Sequence, residues 1–158
     1  MALRLKTRSE GDTFALGRAL GAFLHPGDAL LLSGDLGTGK SVLARGAAQA
    51  LGVEGPMPSP SFNIMFPYEG RVPVYHFDLY RLSGPDEFYA AGLDEFVGAS
   101  GVALIEWPME GIDYGAPITI DMARGGNDAE RRIQIRLSPG DGRAEAVKSA
   151  LSGWEAER

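Results

Sequence analysis

The 158 residues fall inside the ~100–200 of a single domain, and a formal charge of -6 lacks the basic footprint of a protein that grips nucleic acid by its phosphates alone. With no cysteine and two histidines, His25 and His76, disulfide scaffolds, zinc–cysteine sites and thiol chemistry are excluded. A hydrophobic share of 44% supports a real core, while no apolar run approaches the ~18 residues of a membrane span and the first ten residues lack a signal-peptide core; a cytoplasmic chain forming one domain over residues 1–158 is expected.

Leu3 to Lys6 alternates as a short strand, and Ser9 with Asp12 three residues on reads as a helix N-terminal capping box. Phe14, Leu16, Ala19, Leu20, Phe23 and Leu24 then recur at helical spacing until Pro26-Gly27. Ala29 to Ser33 is a continuous apolar run bounded by Gly27 and Gly34, the pattern of a strand buried on both faces of a parallel sheet. A second helix is expected from Gly39 or Lys40 to Gly52. Gly55 to Pro60 carries three prolines, which remove backbone donors, so it reads as a surface loop. Phe62 to Tyr68 and Val72 to Phe77 flank Glu69-Gly70-Arg71 as a hairpin.

Ser83-Gly84-Pro85 precedes a short helix, Asp86 to Ala91. Val102 to Ile105 is another buried strand, ending abruptly at Glu106-Trp107-Pro108. Ile118 to Met122 and Arg131 to Leu137 alternate at period two around Gly125 to Asp128, a second hairpin, and Gly142 to Trp154 reads as a terminal helix. About seven strands with four or five helices are too few helices to cover a fully parallel sheet. The fold expected is α/β, with a mixed, partly parallel sheet.

The sharpest feature is Gly34-Asp35-Leu36-Gly37-Thr38-Gly39-Lys40-Ser41, a full G-x-x-x-x-G-K-[ST] match placed after the buried strand and before a helix. Glycines let the backbone wrap an anion, and the amides at the helix N-terminus face phosphate oxygens. Lys40 is expected to reach the β- and γ-phosphates, and Ser41 to give its hydroxyl to Mg²⁺. Val42 stands where many such loops carry a second hydroxyl, which removes a contact near the α-phosphate.

Such a loop needs acids to hold the metal's water shell and place the attacking water. Glu106 and Asp78 each end an apolar strand, at the carboxyl edge where ligands of open α/β sheets bind. Trp107 is a candidate to cover the nucleotide or a partner surface, and Ser61 to act as a switch hydroxyl near the γ-phosphate. His76 reads as a satisfied structural histidine rather than a catalytic one.

Taken in order, these motifs resemble the TsaE (YjeE) family of P-loop ATPases in bacterial tRNA threonylcarbamoyladenosine (t6A) synthesis. Thr13 with Leu16-Gly17 is similar to the family's first helix, Gly34 to Ser41 to its Walker A loop, and Ser59-Pro60-Ser61-Phe62 to its switch-like Ser-Pro-Thr-Phe segment. His76 to Arg81 resembles its His-x-Asp-x-Tyr-Arg motif, Glu87 and Gly92-Leu93 its next helix, and Leu104 to Pro108 its Ile-Glu-Trp-Pro signature. The resemblance runs from about Ser9 to Leu137 and leaves the tail unassigned.

The resemblance implies a three-layer P-loop NTPase-like fold and a weak Mg²⁺-dependent ATPase that supports two partners, TsaD and TsaB. That pair transfers the threonylcarbamoyl group to adenosine 37 of tRNAs reading ANN codons, so the chain meets tRNA only through its partners. On it, ATP is bound by Gly34, Asp35, Leu36, Gly37, Thr38, Gly39, Lys40, Ser41 and Val42, with Thr13, Ser61 and Trp107 around it. Lys40, Asp78 and Glu106 are the catalytic residues implied, and Ser41, Asp78 and Glu106 those of the metal. A monomer, free of membranes, is expected when the chain is alone.

The rival enzyme is a small-molecule P-loop kinase, with Arg124, Arg131 and Arg132 as lid candidates, although the helical insertions of such lids are missing. A GTP switch is disfavoured because Asn127-Asp128 has no lysine beside it to make a base-recognition motif. An adaptor that merely retains the loop is the bland alternative.

Overall fold

The computed structural model describes residues 1–57 and 64–156. The expected loop residues Pro58 to Pro60 and the candidate Ser61 with its Ser-Pro-Ser-Phe segment therefore lie outside the described residues. Seven strands form one sheet: β1 (Ala2–Thr7), β2 (Ala29–Ser33), β3 (Met65–Glu69), β4 (Pro73–Asp78), β5 (Val102–Glu106), β6 (Ile118–Arg124) and β7 (Arg131–Arg136). Their order is β1-β7-β6-β2-β5-β4-β3. The central run β6-β2-β5-β4 is parallel, and the flanking pairs β6-β7, β7-β1 and β4-β3 are antiparallel. The sheet is thus mixed, as the shortage of helices requires.

Among the described residues four α-helices accompany the sheet, α1 (Glu10–Gly21), α2 (Lys40–Ala50), α3 (Pro85–Ala90) and α4 (Ala144–Ala150), with a 3-10 turn at Leu93–Phe96 after α3. One sheet face packs against α1, α2 and α4 through Leu16, Leu20, Leu43, Ala47, Val147 and Leu151, all buried on Leu30, Leu32, Leu104 and Ile120. The other face gathers Ala29, Leu31, Phe77, Phe88, Ala103 and Ile105. Its cover stops short: on the β6-β7-β1 side this face carries Asp121, Arg132, Arg136 and Arg4 in register, all exposed and charged, with the small exposed Ala123 and Ala2 between them.

Helix α1 starts where the cap predicts, with the Asp12 amide donating to Ser9 Oγ at 3.0 Å, but the Asp12 carboxylate accepts from the Arg8 amide rather than from Ser9. It ends at Gly21, three residues before the apolar spacing does, and Phe23 and Leu24 continue as turns bonded to Leu20 and Gly21. Helices α1 and α2 touch backbone to backbone: a Cβ on Gly46 would meet the Phe14 carbonyl, and one on Gly17 the Leu43 carbonyl. Met57, in the stretch read as a surface loop, is buried in the core. The expected terminal helix is shorter, α4 followed by a 3-10 turn, Ser152–Trp154.

That tail is tied down at several points. Trp154 Nε1 donates to Asp12 at 2.8 Å, Leu5 bridges Glu155, and the Ala156 amide donates to the Arg4 carbonyl. Arg143 holds Asp28, Asp141 and the Phe23 carbonyl together. The Arg143 guanidinium and backbone amide hold the Asp141 carboxyl well below its ordinary value, to about 2.

Candidate functional site

Strand β2 runs up the middle of the sheet and delivers the loop 34–39 at its carboxyl edge, where α2 begins. Gly34 has φ +147, and a Cβ there would meet the Met122 carbonyl and Thr38 Oγ1. The loop can therefore turn off β2 only because this residue has no side chain. Thr38 is buried and donates its hydroxyl to the Asp35 carbonyl at 2.9 Å, tightening the turn.

Two arginines brace the loop from β6 and β7. Arg131 Nε donates to the Thr38 carbonyl at 3.0 Å and its Nη2 to Gly37, while Arg124 reaches the Leu36 carbonyl at 3.5 Å. The sequence offered these residues as a kinase lid. They sit instead on loop carbonyls 88 to 94 residues away in the chain, and nothing local signals that.

Lys40 is only 5% exposed. Its Nζ donates to the carbonyls of Gly34 (2.6 Å) and Asp35 (2.8 Å) and lies 4.3 Å from the centre of the Trp107 ring. Burial lowers the lysine pKa, and the nearby Glu106, Asp78 and Asp35 carboxylates oppose that shift. Ser41, one residue on, donates its hydroxyl to Glu106, 3.0 Å from each carboxylate oxygen.

Glu106 ends β5 and is 4% exposed. Asp78 ends β4 directly beside it in register, and its Oδ1 accepts from the Tyr80 amide at 3.0 Å. His76, 1% exposed, places Nε2 2.6 Å from Glu106 Oε2. Its Nδ1 is buried without a hydrogen-bond partner. His76, read from sequence as a satisfied structural histidine, is buried, but only one of its two ring nitrogens has a partner among the described residues. Trp107 follows with φ +58, a left-handed backbone that is uncommon for any residue with a side chain, and its ring packs on Tyr80 at 4.9 Å.

These groups line one pocket of about 640 Å³, a volume that suits a small-molecule ligand. Leu36, Gly37, Thr38, Gly39, Lys40, Ser41, Val42, Asp78, Glu106, Trp107 and Thr13 all contribute to it. Gly34 and Asp35, also expected to hold the nucleotide, are not among its lining residues; their carbonyls hold Lys40 behind it. Thr13 is buried, its hydroxyl 2.7 Å from that of Thr7. Glu10, Asp128, Ala129 and Arg131 complete the wall and were not singled out as pocket residues from sequence. Among the described residues no group of three acidic, histidine or cysteine side chains forms a metal cage. One hydroxyl and one or two carboxylates fit Mg²⁺, which takes most of its remaining ligands from phosphates and water.

A mixed α/β sheet with a glycine-rich turn, lysine and hydroxyl at its central strand, facing two carboxylates, defines a protein built around a strand–loop–helix pocket. The family model described as "Threonylcarbamoyl adenosine biosynthesis protein TsaE" matches residues 7–134, and the chain belongs to this family. The protein named "tRNA threonylcarbamoyladenosine biosynthesis protein TsaE" of Bacillus subtilis (strain 168) is 42% identical over 106 residues, covering 66% of this chain and 66% of its own length. Its namesake in Treponema pallidum (strain Nichols) is 37% identical over 105 residues, 66% of this chain and 78% of that one. The namesake in Nostoc sp. is 41% identical, and the match spans 62% of its length. The crystal structure of Bacillus subtilis YdiB superposes with a TM-score of 0.73 at 32% identity, covering 97% of this chain and 95% of that one. No helix of the described residues is long and apolar enough to cross a membrane.

Proposed function

We propose that the chain is a Mg²⁺-dependent ATPase subunit of tRNA t6A synthesis, weak alone and stimulated by TsaD and TsaB, which modify adenosine 37 of tRNAs reading ANN codons. In this reading it acts as a cytoplasmic single-domain monomer that meets tRNA through those partners. The observation that carries it is the Ser41–Glu106 contact beside Lys40: a loop hydroxyl, a strand-end carboxylate and a buried ammonium converge on one pocket.

On binding ATP, Lys40 exchanges the carbonyls of Gly34 and Asp35 for β- and γ-phosphate oxygens, a stronger charge-assisted partner. Ser41 and Glu106, with Asp78 beside them, would hold Mg²⁺, which would supply positive charge to offset that developing on the phosphates. Glu106 or Asp78 orients the attacking water, and the loop amides receive the phosphate oxygens. Trp107 closes the pocket over Lys40. Arg124 and Arg131 are engaged with the loop, which takes two of the three lid candidates of the kinase reading, while Arg132 stands exposed on β7.

The test is hydrolysis of Mg·ATP by the full chain, alone and with TsaD, TsaB and tRNA. A rate raised by the pair supports the reading; a rate indifferent to it favours the kinase alternative. Lys40→Ala is expected to abolish Mg·ATP binding in calorimetry, and Glu106→Ala to lose far more hydrolysis than binding. Unchanged affinity in the first variant, or equal losses in the second, would remove the assignment.

A further inference from the structure

The imidazole of His76 presents an unusual balance. It is buried beneath the site on β4, one same-face step before Asp78, and reaches diagonally to Glu106 on β5. One ring nitrogen makes a 2.6 Å contact, and the other makes none among the described residues. A buried polar atom left unpaired destabilises a fold, so an apolar side chain would pack here at lower cost. The compensating contact is with the one carboxylate that also holds Ser41.

We propose that His76 is a positioning residue that fixes which oxygen of Glu106 serves the phosphate loop and its metal. The inference rests on the nucleotide-site reading above. Nε2–H donates to Oε2, which the Ser41 hydroxyl also approaches at 3.0 Å, so among the described residues Oε2 has two donors and Oε1 has Ser41 alone. A carboxylate tethered at one oxygen cannot swing about its terminal torsion, and the other oxygen stays available to a metal-bound water. The loop and β4 are thereby joined through Ser41, Glu106 and His76, three side chains from α2, β5 and β4. Outer partners of this kind set ligand orientation, and their loss typically weakens metal affinity or activity about 10- to 100-fold.

The test compares His76→Gln, whose amide nitrogen falls near the Nε2 position, with His76→Asn, whose amide is one methylene short, and His76→Phe, which fills the space without a donor. Hydrolysis of Mg·ATP is expected to show kcat reduced about tenfold or more in the Asn and Phe variants, with KM within about threefold, and recovery in the Gln variant. Calorimetry of Mg²⁺ titrated into the ADP-bound chain is expected to show half-saturation at about tenfold higher Mg²⁺ in the Asn and Phe variants, with ADP affinity unchanged. Thermal melts control for folding; should Phe fail to fold, the Gln–Asn contrast still decides.

A Phe or Asn variant matching the wild type in both assays would overturn the proposal, as would a Gln variant as damaged as the others. If the wild type binds ADP and Mg²⁺ without hydrolysing ATP, the ATPase reading fails alone and the Mg²⁺ arm still judges His76. If it binds no ADP, both fail.

Discussion

The Lys40 ammonium lies over the Trp107 ring, 4.3 Å from its centre, while its hydrogens reach the carbonyls of Gly34 and Asp35. The lysine is therefore stored beside the pocket, and taking a phosphate means leaving an aromatic face whose attraction is about 0.5–2 kcal/mol. The chain has two tryptophans, so in a Trp154→Phe background Trp107 reports alone. Mg·ATP is expected to change its emission, and the change should vanish in Lys40→Met. A response that persists in Lys40→Met would separate the ring from the lysine.

Arg131 supports the loop from the carbonyl side, donating to Thr38 and Gly37 and competing for none of its amides. Arg131→Ala is expected to weaken nucleotide affinity about tenfold, roughly 1.4 kcal/mol, with little change in melting temperature, because Arg131 is only partly buried and belongs to neither apolar core cluster. Isothermal titration checks this; an affinity equal to wild type would make the brace incidental.

Arg143 carries a prediction about acid. Its contacts depress the folded-state pKa of Asp141 to about 2 from about 3.9 in an unfolded chain. The stabilisation is thus present above about pH 4 and is lost as the pH falls through about 2. Arg143→Met should lower stability near neutral pH by about 1–2 kcal/mol and flatten its pH dependence between about 4 and about 2. Urea melts across that window test it, and parallel curves for the two proteins would refute it.

Gly46 stands where α2 crosses α1, with the Phe14 carbonyl in the place of a Cβ. Helix propensity alone predicts that Gly46→Ala stabilises by up to about 1 kcal/mol. The contact reverses the sign: the helices must separate, and the expected loss is about 1–3 kcal/mol by chemical denaturation. A gain in stability would show that the interface yields freely.

The local geometry written in consecutive residues was legible in the sequence. Gly34 to Ser41 announces its loop because backbone conformation, amides and lysine are all local, and β2 and β5 announce themselves as unbroken apolar runs. Asp78 and Glu106 could be placed at one edge because each ends such a run. What escaped were relations across the chain. Arg131 meets Thr38 only because β7 lies next to β6, and β6 next to β2. His76 reads as core because it is core, and nothing in its neighbours reveals that Glu106 of the adjoining strand takes its Nε2. Helix α1 ended early for a similar reason: Phe23 and Leu24 keep helical spacing while their backbone has already turned toward β2.

The tail, which the family match does not reach, docks at the margin of the sheet. Strand β1 is an outermost strand, and its free backbone groups are the sort that recruit a neighbouring chain. Here the bridge from Leu5 to Glu155 and the Ala156 amide on Arg4 occupy part of that ladder, and Arg4 and Lys6 add charge beside it. At the opposite margin, β3 carries Pro67, which lacks a donor to offer a further strand. Both margins are thus defended against sheet-to-sheet accretion, so removal of the last dozen or so residues (roughly, a strand's span and its turn) should show first as clumping of an otherwise folded chain, before any change at the nucleotide pocket.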